Sequence, residues 1–185
     1  MTQLRPLHLP AVLGAEDCAG LVALAAAAPL RDGGLVGGVA DRGIRRAGLV
    51  WVDDLQGVEW LGDRIAAVVA EANRDRFGFD LADFAESAQI ARYGADDAGH
   101  FDWHSDIGRG QVAARRKLTL VIQLSDPADY DGGALETWAN ADATQHPKGR
   151  GDAILFPSFL LHRVTPVTQG VRWSLTQWVH GPAFR

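Results

Sequence analysis

One cysteine in 185 residues is too few for an intrachain disulfide or a Cys-rich zinc site, and Cys18 alone suits a reducing compartment. A basic surplus is missing as well. The 18 Lys and Arg stand against 23 Asp and Glu, a formal charge of −5, which argues against broad phosphate-backbone binding and predicts no nucleic-acid partner. The one local basic run, "ARRK" at 114–117, is too short to reverse that. Long apolar runs are absent: the longest, "LVALAAAAPL" at 21–30, is alanine-rich and broken by Pro29, too short to span a bilayer. Residues 1–18 lack the charged start and apolar core of a secretory leader. These absences predict a soluble, cytoplasmic protein with no membrane partner. No Gly-x-Gly-x-x-Gly follows a strand and opens a helix, and no Gly-Lys-Ser/Thr occurs. The six glycines of 31–48 (Gly33, Gly34, Gly37, Gly38, Gly43 and Gly48) therefore read as a loop or irregular hairpin, not a phosphate cradle.

What is present is a chain 47% hydrophobic, enough for one domain over 1–185 with a sizeable core. Its first part, 1–86, is helical. Residues 15–28 read as a helix with Glu16 and Asp17 in the first turn and Pro29 ending it. "LVWVD" at 49–53 reads as a short strand. Residues 57–76 read as a second helix, with Leu61, Ile65, Val68 and Ala72 on one apolar stripe. From about 87 to 181 short β-type runs take over: "SAQIARY" 87–93, "KLTLVIQL" 117–124, "GALETWA" 133–139, "DAILFPS" 152–158 and "RWSLTQWV" 172–179. Two helices followed by many short strands predict an α+β fold, helices outside a β-sandwich or barrel.

Two His-x-Asp pairs lie within "GHFDWHSD", His100 with Asp102 and His104 with Asp106. On extended backbone, residues i and i+2 share a face, so either pair offers an imidazole and a carboxylate as adjacent metal ligands. A distant histidine would complete a two-His-one-carboxylate triad with positions left open on a non-haem iron. His8 lies in the N-terminal segment and His146 in a turn-rich loop, whereas His162 stands between two strand-like runs that could aim it inward. Ten residues later Arg172 and Ser174 share a strand face and suit a carboxylate ligand. Two histidines and a carboxylate also suit catalytic zinc, but no His-Glu-x-x-His helix supplies a general base and Arg172 would then lack a purpose.

The ordered pattern "RYGADDAGHFDWHSD…RRKLTLVIQLSDPADYDGGAL…KGRGDAILFPSFLLHRVTPVTQGVRWSLTQWVHG" resembles the Fe(II)/2-oxoglutarate-dependent dioxygenase superfamily, in particular its prolyl 4-hydroxylase-like branch, over about 87–181. The resemblance implies a double-stranded β-helix (jelly-roll) core flanked by the N-terminal helices. It selects His104, Asp106 and His162 as metal ligands, because a Tyr-containing strand, a turn and an aromatic three residues ahead (Tyr93, "GADDAG", Phe101) set the register; His100 and Asp102 become rim or turn residues. It implies Arg172 and Ser174 on the far carboxylate of 2-oxoglutarate, with Tyr93 and Gln123 as further co-substrate contacts, although related proteins often place Tyr where Gln123 stands. Fe(II), 2-oxoglutarate and O₂ follow as cofactor and co-substrates, with ascorbate a candidate stimulant.

Trp103 and Arg109 are the candidate substrate contacts, each explained equally well as packing or as a solvated loop. "DYDGG" at 129–133 reads as a turn, and Trp173 and Trp178 as packing residues. The implied activity is a hydroxylase of an unactivated C–H bond in a prolyl or other amino-acid unit of a peptide or protein. The alternatives are hydroxylation of a free amino acid or small metabolite, or a non-catalytic jelly-roll binding protein. Asp106 disfavours halogenation, and the arginine pair typical of nucleic-acid demethylases is not matched.

Overall fold

The computed structural model describes residues 4–33, 41–139 and 142–184. In chain order the elements are β1 (Leu7–Leu9), α1 (Ala15–Ala27), β2 (Arg31–Asp32), β3 (Arg45–Arg46), β4 (Gly48–Trp51), α2 (Trp60–Ala72), β5 (Gln89–Gly94), β6 (His100–His104), β7 (Arg116–Gln123), β8 (Tyr130–Gly132), β9 (Leu135–Ala139), β10 (Asp142–Gln145), β11 (Ala153–Pro157), β12 (Leu161–Val164) and β13 (Val167–His180). The larger sheet runs β1-β11-β7-β13-β5-β4-β2, with β8 paired to β13; the smaller runs β10-β9-β12-β6-β3. Their pairings are antiparallel. This is the double-stranded β-helix with flanking helices that the sequence predicts.

The larger sheet is buried on both faces, which is why "KLTLVIQL" reads as a nearly continuous apolar run. Leu118, Leu120 and Ile122 of β7, Ile90 of β5, Leu155 of β11 and Leu175 and Val179 of β13 pack with Leu21 of α1 and Leu61, Ile65 and Val69 of α2. The opposite face presents Val121, Ala91, Tyr93, Ile154 and Phe156 to Leu135 and Val164 of the smaller sheet. Each fully buried Leu or Ile contributes about 1.5–3 kcal/mol. The same period-two alternation therefore sends one residue to the helices and the next between the sheets. The polar members of the inter-sheet set, Thr119, Gln123, Arg172 and Ser174, are all buried.

The first helix agrees with its expected bounds to within a residue. The second is shorter than expected: it starts at Trp60, past Gly57 in the left-handed region (φ 78), and after Ala72 its last turn widens to π-type over Asn73–Phe77 before Gly78 (φ 65). The Asn73 amide closes that end, accepting from the Phe79 N–H and donating to the Phe79 carbonyl, both at 2.9 Å. Of the glycine-rich stretch, residues 34–40, with Gly34, Gly37 and Gly38, lie outside the described residues, while its ends form β2, β3 and the start of β4. "DYDGG" is more than a turn, since β8 pairs with β13 and buries Tyr130.

Candidate metal centre

β6 carries a register shift against β12. His162 pairs with His104 but Val164 pairs with Phe101, so three steps on one strand match two on the other. Such a bulge kinks and re-aims a strand. It lets Phe101 and His104, three residues apart, share the inner face, where their rings stack with centroids 3.4 Å apart. Trp103 is turned outward, edge-on to Trp138 (5.5 Å) and beneath the Arg163 guanidinium (4.7 Å). It lies outside the cavity that His104 faces.

The Nδ1 atoms of His104 and His162 are each tied to a backbone carbonyl two residues earlier, Asp102 O at 2.7 Å and Leu160 O at 3.0 Å. Both rings thereby present Nε2 toward Asp106, just past the end of β6. His104 Nε2 stands 3.7 Å from Asp106 Oδ1, and His162 Nε2 stands 3.4 Å from Asp106 Oδ2. The three donor atoms lie within 4.8 Å of one another and form a set able to hold a divalent ion. Asp106 is fixed at several points: Oδ2 accepts from the Thr119 hydroxyl (2.8 Å), its N–H donates to Ser158 O (2.9 Å), and its carbonyl accepts from Arg116 Nη1 (2.9 Å).

Burial pushes the His104 imidazole down to about 3, with neighbouring His162 adding to the effect. Burial alone would raise the Asp106 carboxyl, but His162, His104 and the Thr119 hydroxyl together hold it below its ordinary value. Neutral imidazole and ionised carboxylate are the forms that ligate metal. His100 lies elsewhere, its ring bonded to Ala98 O (2.9 Å) and Gly43 O (3.1 Å), and Asp102 is exposed.

On the other wall of the cavity, in β13, stands Arg172, 1% exposed. Its Nη1 donates to Ser174 Oγ (3.1 Å) and Nη2 to Gln123 Oε1 (2.9 Å), and its guanidinium lies 5.3 Å from the Tyr93 ring centre. The structure thus gathers Arg172, Ser174, Gln123 and Tyr93 in one place. Among the described residues no carboxylate pairs with Arg172. Its Nε, together with the buried hydroxyl of Tyr130, meets no hydrogen-bond partner of normal geometry. Burial raises the Tyr130 phenol, and the adjacent Arg172 only partly offsets that. A buried guanidinium without a counter-ion is costly unless an anion joins it.

Arg109 sits in the loop after β6 and lines the outer mouth next to Asp106 and Arg116. Several site residues escaped sequence reasoning. Tyr130 was hidden in turn-like residues. Arg45 lies over Phe101 (4.5 Å) but sits beside a glycine-rich stretch without a pattern. Trp178, read as packing, lines both the inner chamber and the mouth beneath Arg116 (4.0 Å). Thr119 could have been found, since a lone hydroxyl on the inward phase of an apolar strand needs a polar partner.

A jelly roll that brings two imidazoles and a carboxylate together matches the donor set of non-haem iron oxygenases. The model of the 2OG-Fe(II) oxygenase superfamily matches residues 88–180, and the chain belongs to that superfamily. A PKHD-type hydroxylase of Pseudomonas aeruginosa (strain LESB58) is 38% identical over 85 residues, covering 43% of this chain and 38% of the relative. The chain thus spans between a third and just over half of the length of the curated relatives it matches. A Pseudomonas putida prolyl-4-hydroxylase structure superimposes with TM-score 0.75 at 23% identity, covering 98% of this chain and 95% of that one. A Trichoplax adhaerens prolyl hydroxylase, solved with a hypoxia inducible factor peptide fragment, gives TM-score 0.80 at 16% identity, covering 96% and 84%.

Proposed function

We propose that this chain is an Fe(II)- and 2-oxoglutarate-dependent dioxygenase that hydroxylates an unactivated C–H bond of an amino-acid unit, a prolyl unit first among candidates. The observation that carries the reading is the pairing, within one cavity, of a converging His104–Asp106–His162 set with a buried Arg172 that lacks a carboxylate partner. A zinc hydrolase would use the first feature and leave the second without purpose.

In this reading His104, Asp106 and His162 hold Fe(II), and Arg172 and Ser174 receive the far carboxylate of 2-oxoglutarate. Gln123 orients the guanidinium, and Tyr93 forms the wall beneath it. When bound together, iron, 2-oxoglutarate and O₂ supply oxidative decarboxylation to succinate and CO₂, coupled to placing one oxygen atom on the substrate carbon. The protein's own work is positional. The carbonyls of Asp102 and Leu160 fix which imidazole nitrogen points inward, and Thr119 orients Asp106, roles whose loss in such sites typically costs about 10–100-fold in metal affinity. Phe101, Leu135, Val121 and Val164 line the chamber with carbon and keep water from it. Arg109 stands at the mouth, on the approach of the primary substrate, while Trp103 is assigned to outer-face packing.

The matched relatives bear hydroxylase names, and the fold is that of prolyl hydroxylases, which supports an amino-acid unit, peptidyl or free, as substrate. Among the described residues no helix is long and apolar enough to cross a membrane. The test incubates the protein with Fe(II), ascorbate, 2-oxoglutarate and a panel of proline-containing peptides, free amino acids and oligonucleotides. The expected result is a gain of one oxygen on an amino-acid substrate, matched by succinate. Coupled oxidation of an oligonucleotide alone would overturn the substrate class. Failure to form succinate with any panel member, despite bound iron, would overturn the reaction class.

A further inference from the structure

Asp106 lies past the end of β6, where the ladder has stopped, and it is buried. Its backbone carbonyl must therefore find a donor elsewhere. Arg116, the first residue of β7, supplies one from Nη1 at 2.9 Å. That donor is itself held on its other sides. Nε and Nη2 of Arg116 meet Glu86 at Oε2 (2.6 Å) and Oε1 (2.5 Å), and the guanidinium lies over the Trp178 ring at 4.0 Å. A two-point carboxylate contact of this kind fixes the plane of a guanidinium as well as its position.

Glu86, from the loop ahead of β5, is in turn placed by the end of β13. Its Oε2 accepts from Nε2 of the fully buried His180 at 2.9 Å, while the His180 Nδ1 accepts from the Ala85 N–H at 3.1 Å. The Glu86 carbonyl accepts from Gln177 Nε2 (3.0 Å), and His180 pairs with Arg116 across the two strands. The loop backbone is stitched down as well: the Ala82 N–H donates to His180 O (2.7 Å) and the His180 N–H to Asp83 O (2.9 Å). The carboxylate presented to Arg116 is thus built into the junction of β7 and β13.

The Asp106 carboxylate also lies within electrostatic reach of Arg116. A guanidinium only 7% exposed needs a counter-ion. With Glu86 beside it that need is met, and Arg116 gives Asp106 no more than a donor to its carbonyl. With Glu86 neutralised, the remaining carboxylate is the one whose oxygens the metal requires. We infer that Glu86 is a positioning residue for the metal centre, holding Arg116 on the backbone of Asp106 and off its side chain. Glu86 has no hydrogen bond to any of the three ligands and acts through Arg116. The inference rests on the reading of His104, Asp106 and His162 as metal ligands and adds a residue that keeps one of them available.

The experiment compares the parent, Glu86→Gln, Arg116→Met and the double variant. Mn(II) affinity is measured by chelator competition, and the visible absorption of the Co(II)-loaded protein reports the ligand geometry. Thermal melts first set a temperature at which the variants are folded. Glu86→Gln is expected to lose about 10–100-fold in Mn(II) affinity and to change the Co(II) spectrum. Arg116→Met removes the competing cation together with the donor, so its loss is smaller. Adding Arg116→Met to Glu86→Gln should therefore regain affinity, whereas two purely structural losses would add. With Arg116 already replaced, Glu86→Gln should change affinity by no more than about twofold. That last comparison needs no single Glu86 variant and decides the matter if Glu86→Gln fails to fold. Parental affinity and spectrum in Glu86→Gln overturn the inference and leave the metal-site reading standing. So does a double variant that binds Mn(II) clearly more weakly than Arg116→Met. A parent that binds neither Mn(II) nor Co(II) overturns both.

Discussion

Replacing Arg172 by Met should separate ligand binding from folding. Arg172 is 1% exposed and has only neutral partners, Ser174 and Gln123. A buried ion without a counter-charge costs several kcal/mol, while the two hydrogen bonds lost on substitution are each worth about 1 kcal/mol, more if a partner is left unsatisfied. These terms oppose each other, so the unliganded variant should melt within about 4 °C of the parent. The liganded state should differ sharply. At 2-oxoglutarate one hundred times Kd, binding stabilises the parent by about 2.7 kcal/mol, or roughly 5–11 °C for a chain of this size. Loss of one charge-assisted contact weakens binding by roughly 10–150-fold. With a hundredfold loss, the same concentration only matches the variant's Kd, leaving about 0.4 kcal/mol and a shift of roughly 1–2 °C. The assay is a thermal melt of the Mn(II)-loaded protein with and without 2-oxoglutarate, and Arg172→Lys, which keeps the charge but loses the planar fork, should fall between. A shift in Arg172→Met as large as in the parent would refute the argument that this guanidinium awaits a carboxylate.

His104→Ala, Asp106→Ala and His162→Ala should each lose stoichiometric iron by elemental analysis, whereas His100→Ala, whose ring only ties two loop carbonyls, should retain it. Thr119→Val should keep the fold but weaken metal binding by about 10–100-fold in a chelator competition, because Asp106 loses its hydroxyl donor. Burial would raise the Glu86 carboxyl, but hydrogen bonds from His180 and Arg116 bring it down to about 2. A carboxyl depressed by folding stabilises the protein above its unfolded value, and that contribution is lost as pH falls through about 4.5 toward 2. After allowance for solvent on its open side this amounts to about 1–2 kcal/mol, so Glu86→Gln should lower stability at pH 7 and flatten the acid limb of a denaturant-midpoint profile.

The helices and the longer strands were legible because their apolar residues repeat with the period of the element that buries them. β13 and β7 could be read although both their faces are covered, since Arg172, Ser174, Thr119 and Gln123 fall on the inward phase while Gln177 alone breaks the apolar set of 172–179 on the other. The convergence of His104, Asp106 and His162 was legible in two stages: spacing alone offered two equivalent His-x-Asp pairs, and the resemblance to the dioxygenases chose between them. What stayed hidden depends on pairing between distant segments. Nothing local to Tyr130 says that β8 will lie against β13, and nothing local to Arg45 says that β3 will pair with β6 and set it opposite Phe101. The short edge strands β1 and β10 gain their definition from partners, not from their own composition.

The offset in β6 changes what a single deletion would do. Ordinarily, removing one residue from a strand exchanges its two faces and scrambles everything beyond. Here Asp102 and Trp103 together oppose Arg163 alone, so losing one of them would restore an even ladder and leave Phe101 and His104 both facing inward. What would be lost is the Asp102 carbonyl's present stance behind the imidazole. The surplus residue therefore governs the direction of the ring rather than its side of the sheet.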